Sequence, residues 1–210
     1  MVKNIIFDLG NVFINLDNDA SQNELLKFGM KNFNDEMIEI NQNYEKGLVT
    51  TKEFVNYYLE KFPNKTQNEL IKSWNSVLFD FPKNRCSFLE KFPKNYKLFL
   101  FSNTNELHID YFKTQVGYDF YKRFLNCFEK VYYSFEMKSR KPDLESFELI
   151  LKENDLIVSE TLFVDDTLTN IESANKLGIK TWHLNPSIED VTELFSVKSD
   201  LFDKLETELI

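Results

Sequence analysis

Four short polar stretches carry the side-chain types that phosphoryl transfer requires. They are Asp8–Val12, Ser102–Asn105, Arg140–Asp143 and Asp165–Asn170. Transfer of a phosphoryl group needs a nucleophile, a cation that offsets its charge, and donors for its oxygens. Magnesium prefers oxygen ligands and is usually bound by one or two carboxylates, the substrate phosphate and waters. The four stretches supply carboxylates, hydroxyl and amide groups and a lysine, which together indicate phosphoryl chemistry.

The residue types suggest which side chains would do which part of this chemistry. Asp8 and the adjacent pair Asp165 and Asp166 can supply the carboxylates of a magnesium site. Ser102, nearby backbone amides and Lys141 can hold the phosphate. Each type also has a simpler use, since Asp is a frequent helix N-cap and Ser and Asn are common in turns. The spacing along the chain must therefore bring these residues together for the hypothesis to hold.

Five short apolar runs have the character of buried strands. The runs are Asn4–Phe7, Leu98–Phe101, Val131–Ser134, Thr161–Val164 and Lys180–His183. Each is mostly continuous in its apolar residues, as is typical of a parallel strand that is covered on both faces. Ligands of such open sheets bind outside the carboxyl ends of the strands, and the polar stretches follow four of the runs. The runs therefore predict a parallel sheet that gathers the polar stretches at one edge.

Helical patterns separate the later strand candidates. One covers Leu144–Leu151, after a helix start at Pro142 and Asp143. Another covers Ile171–Leu177 and is closed by Gly178, which favours a left-handed stop. Strands that alternate with helices predict βαβ units and an α/β fold.

A long interval separates the first strand candidate from the second. Its apolar residues recur at helix-like steps. They include Leu25, Leu26, Phe28, Met37, Ile38, Ile40, Phe54, Tyr57, Tyr58, Leu59, Leu70, Ile71, Trp74, Val77 and Leu78. We predict a helical insert of about four helices over residues 16–82, with Phe81–Pro82 as a hinge. A core domain would then consist of residues 1–15 and 83–210.

Composition and charge narrow the function classes. The chain has 210 residues and a formal net charge of −9 at pH 7. Such a charge repels nucleic acids and anionic membranes at long range, so we expect neither as a partner. Cys86 and Cys127 show no Cys-x-x-Cys spacing, and no apolar run is long enough for a signal or membrane segment. We expect a cytoplasmic protein with reduced thiols; the sequence leaves the oligomeric state open.

The four polar stretches, in this order, resemble the motifs of the haloacid dehalogenase-like (HAD) superfamily. One branch is especially similar, the one that includes bacterial alpha-D-glucose-1-phosphate phosphatases and the N-terminal phosphatase domain of soluble epoxide hydrolases. The resemblance implies a Rossmann-like core with a parallel sheet, and a helical cap inserted after the first strand. It also implies a magnesium-dependent phosphatase that acts on a small phosphorylated metabolite, with sugar phosphates as a candidate class.

The resemblance further implies roles around the metal. Asp8 attacks phosphorus, forms an aspartyl-phosphate and also ligates Mg²⁺, as does the backbone carbonyl of Gly10. Asp166 is implied as a direct ligand and Asp165 as one that binds through water. Asn170 is implied as a partner of these carboxylates.

The phosphate would be held from the other side. Ser102 and the backbone amide of Asn103 are implied as donors to its oxygens. Lys141 would bridge the phosphate and Asp8. Two alternatives remain open from the sequence. One is a haloacid dehalogenase, which uses the same aspartate, Ser-Asn pair and lysine but no metal. The other is a regulatory protein that has the fold without turnover.

Gly10 departs from the wider superfamily, in which most phosphatases have a second Asp two positions after the nucleophile. That Asp protonates the departing alkoxide and later activates water, and glycine can do neither. Substrate hydroxyls, a water, His108 or Asp17 are candidates for part of this function, although a structural role is expected for His108 and a hinge or cap role for Asp17. We therefore predict a preference for good leaving groups, as in anomeric sugar phosphates and acyl or aryl phosphates.

Overall fold

A five-stranded parallel sheet forms the centre of the protein, whose computed structural model describes residues 1–202. The strands in chain order are β1 (Asn4–Phe7), β2 (Asn15–Leu16), β3 (Leu78–Asp80), β4 (Lys97–Ser102), β5 (Lys130–Tyr133), β6 (Thr161–Asp165) and β7 (Lys180–His183). The central sheet has the order β5-β4-β1-β6-β7. Phe7 lies opposite Leu100 of β4 and Val164 of β6, so both neighbouring strands reach the edge where Asp8 begins the loop.

Helices cover both faces of this sheet. In chain order, the helices of the described residues are α1 (Ala20–Lys27), α2 (Asp35–Glu45), α3 (Thr51–Lys61), α4 (Gln67–Asn75), α5 (Lys83–Glu90), α6 (Glu106–Val116), α7 (Tyr118–Leu125), α8 (Ser134–Met137), α9 (Leu144–Glu153), α10 (Leu168–Lys176) and α11 (Leu194–Val197), and those from α5 onward pack on the sheet. Side chains of a strand point alternately to its two faces. Accordingly, Ile5 and Phe7 belong to one hydrophobic cluster and Ile6 to another, and all three are fully buried. The predicted α/β fold with a parallel sheet is confirmed.

Four helices, α1 to α4, occupy the predicted insert and share a hydrophobic cluster of their own. Phe54, Tyr58 and Trp74 are part of this cluster. Thr50 and Thr66 each begin a helix with a capping box, in which the threonine side chain accepts from a backbone amide and a glutamate returns the bond. The four helices agree with the predicted helical texture, and the division into a cap of residues 16–82 and a core remains a prediction.

An antiparallel pair, β2 with β3, was missed by the sequence-based interpretation. It joins the chain where it leaves the core with the chain where it returns, and Leu16 lies opposite Leu78. The interpretation also assigns no helix between β4 and β5, where the structure has α6 and α7. Within residues 1–202, none of the helices combines the length and hydropathy that a membrane span needs. The acidic segment 203–208, interpreted as a solvated helix face, lies outside the described residues.

Candidate active site

Lys141 lies at the centre of the carboxyl edge of the sheet. Its Nζ donates to Asp8 Oδ1 at 2.5 Å, to Asp165 Oδ2 at 2.7 Å and to the carbonyl oxygen of Phe101 at 2.9 Å. The lysine is 1% exposed, so its charge depends on these partners for compensation. Asp8 directly follows β1, Phe101 lies in β4 and Asp165 ends β6, so the pairing of these three strands brings the partners of Lys141 together.

The electrostatics of this cluster reflect a shortage of positive charge. The pKa of Asp8 is raised to about 7, because burial and the neighbouring Asp165 raise it more than Lys141 lowers it. Burial alone would lower the pKa of Lys141, but Asp165 and Asp8 overcome this effect and the net shift is upward. A bound cation would stabilise the ionised form of Asp8 by the same logic.

Asp166 joins Asp8 and Asp165 in a compact carboxylate cluster. One oxygen of each of the three lies within 4.8 Å of the others. Oxygen donors at this spacing suit a hard divalent cation such as Mg²⁺. Asn11 Nδ2 donates to Asp166 Oδ2 at 2.8 Å and so fixes one carboxylate of the cluster. The donor set therefore fits the predicted magnesium site.

The two neighbouring aspartates have different surroundings. Asp165 is fully buried, and besides Lys141 it accepts from the backbone amide of Thr167 at 2.7 Å and from Asn170 Nδ2 at 3.0 and 3.2 Å. Asp166 is only partly buried and lines the pocket above Asp8. This difference is compatible with the predicted direct role of Asp166 and the indirect role of Asp165, which remain predictions.

The loop after β4 lies against the lysine loop. Asn103 Nδ2 donates to the carbonyl oxygen of Lys141 at 2.8 Å, and the Lys141 amide donates to Asn103 Oδ1 at 2.9 Å. Ser102 is 3% exposed. The fully buried Ser134, which the sequence-based interpretation did not single out, exchanges hydrogen bonds of 2.9 and 3.0 Å with the backbone of Thr104. The predicted phosphate donors thus lie on a loop that is fixed from two sides.

These residues line one pocket of about 510 Å³. It contains the predicted site residues Asp8, Gly10, Ser102, Asn103, Lys141, Asp166 and Asn170. The buried Asp165 contacts Lys141 beneath them. Among the other residues that line this pocket are Asn11, Glu45 and Arg140, to which the sequence analysis assigned no individual role. Asn11 and Arg140 belong to two of the four polar stretches, whereas Glu45 comes from the insert and carries no sequence signal.

His108 and Asp17 differ from what an acid–base catalyst requires. His108 Nε2 donates to the Trp74 carbonyl oxygen at 3.3 Å, and Nδ1 accepts from Asn105 Nδ2 at 3.1 Å, so both ring nitrogens are engaged. Burial lowers its pKa to about 4, which keeps the ring neutral. Asp17 is exposed and its carboxylate accepts from the amide of Asp19. His108 therefore joins the core to the insert, in line with the expected structural role.

The match to known proteins agrees with this geometry. The model of the haloacid dehalogenase-like hydrolase family matches residues 5–184. The chain belongs to this family. Residues 5–184 include all four polar stretches, from the loop after β1 to the start of α10.

Three proteins that resemble this HAD hydrolase are informative. A D-ribitol-5-phosphate phosphatase of Bacteroides thetaiotaomicron is 27% identical over 188 residues, which cover 87% of this chain and 91% of the relative. A HAD-family enzyme of the same species was solved with magnesium and inorganic phosphate. It superposes on this chain with a TM-score of 0.78 at 31% identity, and the match covers 93% of this chain and 100% of that one. The L-2-haloacid dehalogenase of Xanthobacter autotrophicus has a TM-score of 0.56 at 15% identity, covering 100% of this chain and 87% of that one, and this likeness shows the fold alone.

The hydrolase has an apolar side chain beside its candidate nucleophile. A Cβ atom added to Gly10 would lie 2.7 Å from Leu16 Cδ1 and 3.6 Å from Asp8 Oδ2. Leu16 therefore fills the space that a side chain at position 10 would need. Since a leucine neither donates nor accepts a proton, this part of the HAD site offers no acid or base to a departing group.

Proposed function

We propose that the chain is a magnesium-dependent phosphohydrolase that cleaves small phosphomonoesters through an aspartyl-phosphate on Asp8. The observation that carries the proposal is the convergence of Asp8, Lys141 and Asp166 in one pocket of about 510 Å³, with Asp165 buried beneath them against Lys141. Family membership supports it, as do the phosphatase among the relatives and the structural neighbour that holds magnesium and phosphate.

The first step is attack on phosphorus by a carboxylate oxygen of Asp8. A bond forms between this oxygen and phosphorus, and the ester bond breaks with its electron pair going to the leaving-group oxygen. Lys141 holds Asp8 in place, and Ser102 and the Asn103 amide donate to the phosphoryl oxygens. Bound to Asp8, Asp166 and the Gly10 carbonyl, with Asp165 acting through water, Mg²⁺ would offset the negative charge between the two reactants.

The second step is hydrolysis of the aspartyl-phosphate. A water oxygen attacks phosphorus, the bond to Asp8 breaks, and inorganic phosphate and the free carboxylate result. Because Gly10 and Leu16 offer no acid or base, the first step should be fastest with leaving groups that depart without a proton. Anomeric sugar phosphates and acyl or aryl phosphates meet this condition.

Free thiols at Cys86 and Cys127 suit the reducing cytoplasm in which we place the reaction.

A dehalogenase is the weaker candidate. Carbon–halogen cleavage needs no metal, and three clustered carboxylates would then be an electrostatic cost that the single charge of Lys141 offsets only in part. The likeness to the haloacid dehalogenase extends to the fold alone. A regulatory protein that binds Mg²⁺ and phosphate without turnover is the other alternative.

Phosphate release from a panel of sugar phosphates, nucleotides and aryl phosphates, with Mg²⁺ and with excess EDTA, tests the proposal. We expect turnover that needs Mg²⁺ and inhibition by Ca²⁺, whose larger and looser coordination misplaces the phosphate. Full activity in EDTA contradicts the proposal, and chloroacetate turnover in the chelator favours the dehalogenase. Binding of Mg²⁺ with no turnover of any substrate favours the regulatory protein.

A further inference from the structure

An ion pair joins the insert to the core at the mouth of the pocket. Arg140 Nη2 lies 3.0 Å from Glu45 Oε2, and both side chains line the pocket that contains Asp8. The side chain of Arg140 is 23% exposed and that of Glu45 is 25% exposed, so neither is closed off from a molecule in the pocket. The pair is thus placed to contact a substrate as well as to link the two parts of the chain.

The backbone around Glu45 is held firmly against the core. Lys46 Nζ lies 3.1 Å from Asp143 Oδ2, and Lys138 Nζ donates to the carbonyl oxygen of Gly47 at 2.6 Å. Gly47 has a φ of +60°, and a Cβ atom there would lie 2.1 Å from the Phe135 carbonyl oxygen. The end of α2 therefore has a fixed position over the loop that carries Arg140 and Lys141.

Arg140 also lies close to the reacting centre because it precedes Lys141. Both residues line the same pocket of about 510 Å³, so one small molecule in this pocket can contact Arg140 while its phosphate lies at Asp8 and Lys141. Within residues 1–202, Arg140 Nε is buried without a hydrogen-bond partner. The single contact with Glu45 thus does not use the full donor capacity of the guanidinium group.

We propose that the Arg140–Glu45 pair binds a hydroxyl group of the leaving group and makes the enzyme selective for polyol-type and sugar-type phosphomonoesters. This inference rests on the proposed function. A hydroxyl group both donates and accepts, so it can donate to the Glu45 carboxylate and accept from the Arg140 guanidinium. An alkyl chain in the same place desolvates both charges and returns no hydrogen bond, which disfavours alkyl phosphates.

Selectivity between two matched substrates tests this role. A pentitol 5-phosphate and pentyl phosphate have the same chain length and differ in their hydroxyl groups, and 4-nitrophenyl phosphate reports on the chemistry alone. We expect Glu45→Gln to lower kcat/KM for the pentitol phosphate by at least about 10-fold. The same variant should change kcat/KM for pentyl phosphate and 4-nitrophenyl phosphate little. Arg140→Lys keeps the positive charge but removes the planar guanidinium group. It should therefore also reduce the preference for the pentitol phosphate over pentyl phosphate.

Lys46→Ala is the matched control, because Lys46 belongs to the same contact region but does not line the pocket. It should change kcat/KM for the three substrates by the same factor. Equal losses on all three substrates in Glu45→Gln would show that the pair merely joins the insert to the core, and would overturn the inference. Thermal unfolding checks that each variant folds, and Arg140→Lys decides the question if Glu45→Gln does not.

The wild-type enzyme separates this inference from the proposed function. Magnesium-dependent turnover of 4-nitrophenyl phosphate with no preference for the pentitol phosphate over pentyl phosphate overturns the inference alone. The absence of turnover with all three substrates and with the wider panel overturns the proposed function.

Discussion

A carboxylate introduced at position 10 should speed the hydrolysis of phosphates with poor leaving groups, provided that space is made for it. The Cβ atom of Gly10→Asp would lie 2.7 Å from Leu16 Cδ1, so the single variant must displace that side chain. Leu16→Ala in addition removes the obstructing atom. The new Cβ would lie 3.6 Å from Asp8 Oδ2, which places the added carboxyl group beside the nucleophile and within the same pocket.

General acid catalysis is typically worth about 10²- to 10⁴-fold. The new carboxyl group would lie near Asp8 and Asp166, and their negative charges raise its pKa and so favour its protonated form. The same charges oppose its later action as a base. We therefore expect the rate of phosphoenzyme formation from alkyl phosphates to rise by about 10²-fold, near the lower end of this range. For aryl phosphates, which need no proton, the gain should be absent.

The assay is the rate of phosphoenzyme formation for a series of aryl and alkyl phosphates, plotted against the acidity of the leaving group. The wild type should show a steep dependence, and the Gly10→Asp/Leu16→Ala variant a shallower one. Leu16→Ala alone is the control for the loss of packing. A shallow dependence in the wild type would refute the reasoning, because an acid would then exist elsewhere in the pocket.

Three further changes have defined outcomes. Asp166→Ala should weaken Mg²⁺ binding, measured by titration calorimetry, more than Asp165→Asn does. Asp165→Asn should lower the unfolding temperature more than Asp166→Ala does, because it removes the negative charge that faces the buried Lys141. The pKa of His108, about 4 in the fold against an ordinary 6.5, means that the unfolded chain binds the extra proton in this range. The contribution of His108 to the free energy of unfolding should therefore rise between pH 4 and 6.5 by up to about 3 kcal/mol. The difference between urea titrations of the wild type and of His108→Gln measures this contribution separately from the opposite one of Asp8, whose pKa is raised. Gly47→Ala, whose Cβ would meet the Phe135 carbonyl oxygen, should lower the unfolding temperature more than Gly29→Ala, whose Cβ would meet no atom within 4 Å.

The elements of the central sheet could be predicted because buried parallel strands are continuous apolar runs. Asn4–Phe7 and Lys180–His183 have the predicted bounds, and the other three strands differ by a residue at one or both ends. The pair β2 and β3 could not be predicted, since strands of two and three residues with little burial have no periodicity to detect. Short partly exposed strands depend on their tertiary partners.

The polar groups of the site were predictable to the extent that they follow strands. Asp8 and Asp165 meet because β1 and β6 are neighbours in register. Glu45 was not predictable, because its contact with Arg140 depends on how the insert packs on the core. Leu16 likewise carries no sign in the sequence that its side chain fills the space beside Gly10.

The most direct test of the account is whether phosphate becomes covalently attached to Asp8 during turnover. Rapid acid quenching of the enzyme with radiolabelled substrate and Mg²⁺, followed by peptide mapping, measures this attachment. In the wild type we expect a label on the peptide that contains Asp8, and hydroxylamine should release it. In the Asp8→Asn variant, once deamidation back to aspartate has been excluded, we expect no label and no turnover. A label on another residue, or sustained turnover by pure Asp8→Asn protein, would contradict the account.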